Sequence, residues 1–458
     1  MFRMKIKYEF FVYACVYLLI LVAAAPELQA RAEPPPATPR PNIVLINADD
    51  LGWGDVGFNG RTDWKTPELD ALAAGGTIFR RFYAAAAVCC PSRAAMLTGK
   101  YTIHCGVTGN NDDLPDSETT IAEALKSLGY VTALAGKWHH GKPPKGSKTY
   151  VHPMDQGFDE FFGFTDATEA HQKYPKKLWN GRSEEPVSGY ADDLFADRAI
   201  AFLRGRAGTK QPFFLYLAFT NSHFAIEAPA DEIAAYNGKF AETDPQKPFN
   251  ATYAAMIARL DKNVGKVKRT LDELNLSRDT LIVFTSDQGA TFEVGNRGAS
   301  VYHDSNRPFR GQKRTVWEGG VRVPSFALWP GRIPAGSSND EVMHAIDLLP
   351  TFVAAAGSTV KTDWKVDGVN LWPVWLGTER APDRTIFWEW RSEGGNQVAA
   401  TRGKYKLVIT NQGKAELFDV IADPAERRDL SAIRNQEASS LRKALNSWLA
   451  SEVRRRDN

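Results

Sequence analysis

The chain has 458 residues, 43% of them hydrophobic and 24% charged, with a formal net charge of +2 at pH 7. That length accommodates one large α/β domain and a smaller companion. The near-neutral balance excludes a global attraction to nucleic acid or to an anionic membrane surface, so an acidic substrate must be drawn by a local cluster.

Arg3, Lys5 and Lys7 precede an uncharged apolar run from Phe10 to Ala25, and Ala30-Arg31-Ala32 offers a small-x-small cleavage site. This is the pattern of a secretory signal peptide over residues 1–30. The run is shorter than the ~20 residues of a spanning helix, which favours export over an uncleaved anchor. The expected destination is the periplasm or the exterior. Cys15 does not read as a lipidation site, because Tyr13 stands close before it and apolar residues continue past it. A Pro-rich stretch over 31–40 predicts a flexible leader. After cleavage Cys89, Cys90 and Cys105 remain, which is not a disulfide framework. A Cys90–Cys105 bridge would leave Cys89 free.

Asn42 to Asn47 is a continuous apolar run ending in Ala48-Asp49-Asp50, as a buried parallel strand would. Thr66-Pro67 opens a helix, with Thr66 as its capping residue, that Gly75-Gly76 closes. Cys89-Cys90-Pro91-Ser92-Arg93 begins another helix; its unpaired N–H groups and dipole favour a bound anion, with Arg93 one turn from Cys89. Tyr130–Ala135 predicts a strand running into Gly136-Lys137-Trp138-His139, and Pro212–Phe219 one running into Asn221-Ser222-His223. Ala251–Leu274 is a long helical pattern, Thr280–Thr285 a strand ending in Ser286-Asp287-Gln288-Gly289, and Ser325–Trp329 a further strand. Helices between the strands imply a largely parallel central sheet flanked by helices, over residues 41–356. Residues 357–458 change texture and predict a smaller α+β subdomain with an antiparallel sheet and an amphipathic last helix around Leu441, Leu445 and Trp448.

Asp49, Asp50, Lys137, His139, His223, Asp287 and Gln288 all lie just past the C-terminal ends of strands, the edge where open α/β sheets bind ligands. Three carboxylates and an amide carbonyl, without several Cys or His, suit a hard cation such as Ca²⁺ or Mg²⁺. The stretch Cys89-x-Pro91-Ser92-Arg93 followed by Leu97-Thr98-Gly99 resembles the sulfatase signature at every fixed position. The Asp49-Asp50 strand end, Gly136-Lys137-Trp138-His139, Gly157–Gly163, Ser286–Gly289, Gly311–Arg314, Glu318–Pro324 and Asp419…Glu426 resemble the remaining blocks of that family in order.

The resemblance implies an alkaline-phosphatase-like fold and a sulfuric ester hydrolase. It implies that Cys89 is oxidised to Cα-formylglycine, with a formylglycine-generating maturation enzyme as a partner. Asp49, Asp50, Asp287 and Gln288 would bind one Ca²⁺ together with the modified Cys89. Arg93 would stabilise the nucleophile, and Lys137, His139, His223 and Lys313 would surround the sulfate. Gln288 stands where the family usually has Asn, and its extra methylene moves the donated oxygen. A sulfate monoester repels anionic attack, so cationic neighbours lower the barrier. An aldehyde hydrate attacks sulfur through one hydroxyl and expels sulfate when His139 takes the proton of the other. His223 and Lys313 are the candidates to protonate the leaving alkoxide.

A phosphate or phosphonate monoester hydrolase on the same fold is the rival reading, and a catalytically silent carbohydrate-binding homologue is another. The expected substrate is a sulfated carbohydrate or small molecule, with no membrane or nucleic-acid partner beyond the export signal. Loops His104–Asp116, Thr165–Trp179 and Phe292–Pro308 are candidates to line a sugar subsite. Trp388 and Trp390 are either part of that subsite or core residues.

Overall fold

The computed structural model describes residues 40–141, 151–244, 246–392, 395–410 and 413–456, the side chains of 453–456 excepted. The expected signal peptide and all but the last residue of the leader lie outside the described residues. Among those described, no helix is long and apolar enough to cross a membrane.

The apolar run after Pro41 forms β1 (Asn42–Asp49), buried at every position. Its side chains alternate between two cores: Ile43 and Leu45 face one, and Val44, Ile46 and Ala48 the other. A strand buried on both faces reads as an unbroken hydrophobic run, which is why no polar alternation appears in its sequence. β1 sits between β8 (Phe213–Ser222) and β9 (Thr280–Ser286), parallel to both. Beyond β8 come β4 (Val131–Lys137) and β5 (Glu160–Phe164), also parallel.

The flanks of the sheet reverse direction. β10 (Phe326–Leu328) pairs antiparallel with β9 and with β2 (Thr77–Phe79), and β6 (Lys177–Asn180) and β7 (Ser183–Pro186) close the other side antiparallel. With β11 (Ser337–Asn339) beside β2, the order is β11-β2-β10-β9-β1-β8-β4-β5-β6-β7. The sheet is thus mixed, with a parallel middle of five strands. The expected strand near Ser325 exists, but it runs against its neighbours.

On one face lie helices α1 (Pro67–Ala74), α3 (Ala191–Arg206) and α4 (Phe249–Glu273); on the other lie α2 (Cys89–Thr98) and α5 (Leu348–Ala355). Thr66 does not cap α1 with its side chain. Asp261 of α4 accepts from the N–H groups of Leu69 (2.8 Å) and Glu68 (3.3 Å) in its stead. A carboxylate from a packed neighbour satisfies the same orphan donors as a local cap.

β3 (Phe82–Tyr83) and β12 (Met343–His344) pair parallel in a small sheet of their own, and the C-terminal part forms the antiparallel sheet β13 (Ile386–Trp390), β14 (Gln397–Arg402), β15 (Tyr405–Ile409) and β16 (Ala415–Asp419). Helix α6 (Asn435–Arg456) packs on it through Leu441, Leu445 and Trp448. Trp388 and Trp390 are buried, and Trp388 Nε1 donates to the Ala84 carbonyl at 2.8 Å, so these rings belong to the core. A fully buried ion cluster ties this sheet to the main body. Lys406 Nζ meets Glu318 at 2.8 Å and Glu426 at 3.5 Å, while the Glu318 N–H donates to Glu426 at 2.7 Å.

Glycine decides one close approach beside the site. Gly136 pairs in register with Ala218 on β8 and with Gly163 on β5, and its φ is +123°. A Cβ on Gly136 would lie 1.9 Å from the Ala218 carbonyl oxygen, a backbone atom that cannot turn aside. Gly136→Ala should therefore cost about 3 kcal/mol or more, through a clash added to a strained φ. Urea denaturation against wild type measures it, and a loss within 1 kcal/mol (on the order of a surface change) would contradict this packing.

Candidate active site

Four adjacent strands deliver the site. β9 ends into Asp287, β1 into Asp49 and Asp50, β8 into His223, and β4 ends in Lys137. The register between β1 and β8 slips after Asn47, so that Asp49 faces Ser222, and Asp50 follows in the left-handed region at φ +61°. Helix α2 enters from the side with Cys89 as its first residue, and Gly99 at φ +67° closes it with a bond to the Ala95 carbonyl. The Ser92 hydroxyl bonds the Asp287 carbonyl, which fixes the start of the helix against the edge of the sheet.

Arg93 is the central ligand of the carboxylates. Its Nε and NH2 lie 2.8 and 2.7 Å from Asp287 Oδ2, and NH2 lies 3.2 Å from Asp49 Oδ1. Lys137 Nζ meets Asp49 Oδ2 at 2.7 Å. Lys313 Nζ meets Asp50 Oδ2 at 3.0 Å, His223 Nε2 at 2.9 Å and Glu293 at 3.2 Å. Cys89 Sγ sits 3.9 Å from Asp50 Oδ1 and 3.5 Å from Gln288 Nε2. The Gln288 amide nitrogen also bonds Asp50 Oδ1.

Burial sets the protonation of these groups. It raises the Asp49 carboxyl, but the charges of Lys137, Arg93 and Lys313 outweigh it and hold Asp49 well below the usual range. Burial dominates at Asp50 and Asp287, lifting them to about 6 and about 7 despite Lys313 and Arg93 respectively. It pushes the Cys89 thiol up to about 12, so the unmodified cysteine is a neutral thiol and a poor nucleophile. Burial, reinforced by Lys137, keeps His139 neutral; burial with Lys313 does the same for His223.

The ten residues expected from the sequence come together in this one place, with different degrees of engagement. Nine make the contacts just described. His139 is buried beside them at φ +84°, and among the described residues neither ring nitrogen has a hydrogen-bond partner. His223 uses Nδ1 on the Phe224 carbonyl at 2.8 Å. That carbonyl can only accept, so Nδ1 carries the proton and Nε2 presents its lone pair to Lys313. Cys90 and Cys105 are free thiols, so the conceivable bridge between them is not formed.

The residues fit a hard cation. Ligand atoms of Asp49, Cys89 and Asp287 lie within 4.8 Å of one another, as do those of Asp50, Cys89 and His223. Gln288 Oε1 is buried and has no partner among the described residues, while its amide nitrogen faces Asp50. A half-turn of that amide puts the orphaned oxygen among the carboxylates, as a cation there requires.

Several residues that no motif marks also build the site. Tyr216 on β8 supports Arg93 through its hydroxyl at 3.4 Å. Lys173 is fully buried and donates to the Thr220 carbonyl at 2.6 Å, with burial pulling its pKa down to about 8 against the pull of Asp192. His171 stacks on His223, ring centres 5.0 Å apart. The other histidines given no role have structural partners: His104 pairs with Asp367 and His303 bonds the Asn250 carbonyl.

A family model described as "Sulfatase" matches residues 41–358, and one described as "N-sulphoglucosamine sulphohydrolase, C-terminal" matches 310–455. The chain is a member of the sulfatase family and a sulfatase enzyme. It is 35% identical over 423 residues to N-acetylgalactosamine-6-sulfatase of Canis lupus familiaris, covering 85% of this chain and 74% of that protein. It is 35% identical over 426 residues to arylsulfatase A of Homo sapiens, covering 84% and 78%. A solved structure described as Ps i-CgsB in complex with k-i-k-neocarrahexaose superposes with a TM-score of 0.81 at 32% identity, covering 89% of this chain and 92% of that one.

Removing Arg93 leaves Asp287 buried against Asp49 without its cation. Arg93→Ala should destabilise the metal-free protein by about 3–5 kcal/mol, the cost of breaking a buried pair from one side. Chemical unfolding of both proteins in the presence of a chelator checks it; an unchanged midpoint would mean the pair is not formed.

Proposed function

We propose that this sulfatase removes sulfate from a sulfated carbohydrate after export, using Cα-formylglycine made from Cys89 and one Ca²⁺. Residues 41–356 form the catalytic domain and 357–458 its C-terminal subdomain. The observation that carries the reading is the convergence of a helix-leading cysteine, three buried carboxylates and three buried cations at one sheet edge. The saccharide assignment is supported by the relative named for N-acetylgalactosamine-6-sulfate chemistry and by the neighbour described with a neocarrahexaose.

Asp49, Asp50, Asp287 and Gln288, with the modified Cys89, would hold the Ca²⁺. Formylglycine supplies a hydrated carbonyl as nucleophile and Ca²⁺ supplies charge neutralisation for the ester oxygens. The chain's own groups do the rest. Arg93 and Lys137 fix Asp287 and Asp49 and add positive charge where the nucleophile sits. Lys313 carries a proton on Nζ and His223 Nε2 does not, so Lys313 is the immediate proton donor to the departing alkoxide and His223 its hydrogen-bond acceptor. His139, neutral with an unshared ring lone pair, is the base for the second half of the cycle. Maturation replaces the –CH₂SH of Cys89 by –CHO, with an oxidant and a generating enzyme from the cell, the secretory or periplasmic route being the one the N-terminus suggests.

Mass measurement of the peptide carrying Cys89, from protein made in a maturation-competent host, should show a loss of about 18 Da (H₂S lost, O gained). The same preparation should desulfate members of a panel of sulfated mono- and disaccharides, and Cys89→Ala should abolish that turnover. An intact thiol in active enzyme would end this reading. Ca²⁺ at 100 times its Kd should stabilise the protein by about 2.7 kcal/mol, and Asp50→Asn should remove that gain. Thermal unfolding with and without the ion reports it independently of activity.

A further inference from the structure

Lys313 is saturated. An ammonium has three hydrogens, and Lys313 Nζ has three partners: Asp50 Oδ2 at 3.0 Å, His223 Nε2 at 2.9 Å and Glu293 Oε2 at 3.2 Å. The Asp50 and His223 side chains are almost wholly enclosed, at 1% and 4% exposure; Glu293 is the open one, at 27%. Glu293 is therefore the partner on the solvent side, on a rim segment that also exposes Phe292 and Val294.

Its position is built. Thr291 Oγ1 donates to Glu293 Oε2 at 2.8 Å and accepts from the Glu293 N–H at 3.2 Å. Arg314 holds the other oxygen, Nε at 2.9 Å and NH2 at 2.8 Å. Burial raises this carboxyl, but Lys313 and Arg314 outweigh it, so the group is a carboxylate. A fixed negative charge thus stands beside the lysine expected to meet the ester anion.

We propose that Glu293 is a specificity-determining residue that makes this site selective for monoanionic esters over dianionic ones. The inference rests on the reading of Lys313 as a sulfate-facing group. A sulfate monoester carries one negative charge, whereas a phosphate monoester carries close to two above its second pKa of about 6. Inorganic sulfate, the product, carries two. An ester oxygen within hydrogen-bond reach of Lys313 Nζ lies a few ångströms from Glu293. Every extra unit of negative charge on the ligand meets that carboxylate at short range in a partly desolvated rim, where repulsion is strong. The same charge that discriminates against phosphate esters hastens release of the sulfate product.

The test compares wild type with Glu293→Gln, which keeps shape and removes charge, using 4-nitrophenyl sulfate and 4-nitrophenyl phosphate. At pH 8 the ratio of kcat/KM for phosphate over sulfate should rise about tenfold or more, and the Ki of inorganic sulfate should fall by a similar factor. At pH 5, where a larger share of the phosphate ester is monoanionic, the change in ratio should be smaller than at pH 8. A purely structural role for Glu293 would lower both activities together and leave the ratio and its pH dependence unmoved. Glu293→Ala, with the same melting temperature as wild type, should reproduce the shift in ratio. An unchanged or lower ratio at pH 8 in the folded variants overturns the assignment. A Lys313→Met variant with wild-type KM for the sulfate ester would overturn the reading of Lys313, and this inference with it.

Discussion

The site depends on charge compensation among groups that water cannot reach. Asp49, Asp50 and Asp287 stand within a few ångströms of each other at the end of two neighbouring strands, and Arg93, Lys137 and Lys313 are the fixed positive charges set against them. Isolated burial of any one of these ions would be prohibitive, and pairing recovers only part of that cost. The arrangement is therefore not an asset to stability in itself. It sets negative and positive potential side by side at one sheet edge, each side holding the other in place.

The sheet makes this possible by geometry that has little to do with charge. Four consecutive parallel strands end at one level, and glycine and alanine at Gly136, Gly163 and Ala218 let three of them approach closely just before Lys137. Helix α2 then brings Cys89 and Arg93 to the same level from outside the sheet, pinned by the Ser92 hydroxyl. The apolar strands supply the rigidity and the polar residues immediately after them supply the chemistry, so a substitution in the glycine layer acts on the site through position alone.

This division explains what the sequence made legible. Buried strands are unbroken apolar runs, and a carboxylate or lysine directly after one is visible as an abrupt change; Asp49, Asp50, Lys137, Asp287 and the Cys89 helix were readable for that reason. The antiparallel flanks were not, because β2, β10 and β11 are three residues each and carry no periodicity. The sugar-facing hope for Trp388 and Trp390 could not be separated from core packing by sequence, and the core took them. Glu293 and Lys173 lie in loops and His171 ends a single 3-10 turn, where a residue's neighbours are set by tertiary packing and not by local pattern. Gln288 was marked by its position, but which end of its amide faces the carboxylates is a matter of one side-chain torsion.

The buried cluster of Glu318, Lys406 and Glu426 has a consequence in time. Glu318 lies five residues beyond Lys313, and the two groups that hold it come from the last quarter of the chain. Synthesis proceeds from the N-terminus, so the partners of Glu318 are made after every residue of the site. Cys89, enclosed in the finished protein, is made well before them. The order in which the polypeptide emerges thus separates the making of that side chain from the fastening of the C-terminal sheet.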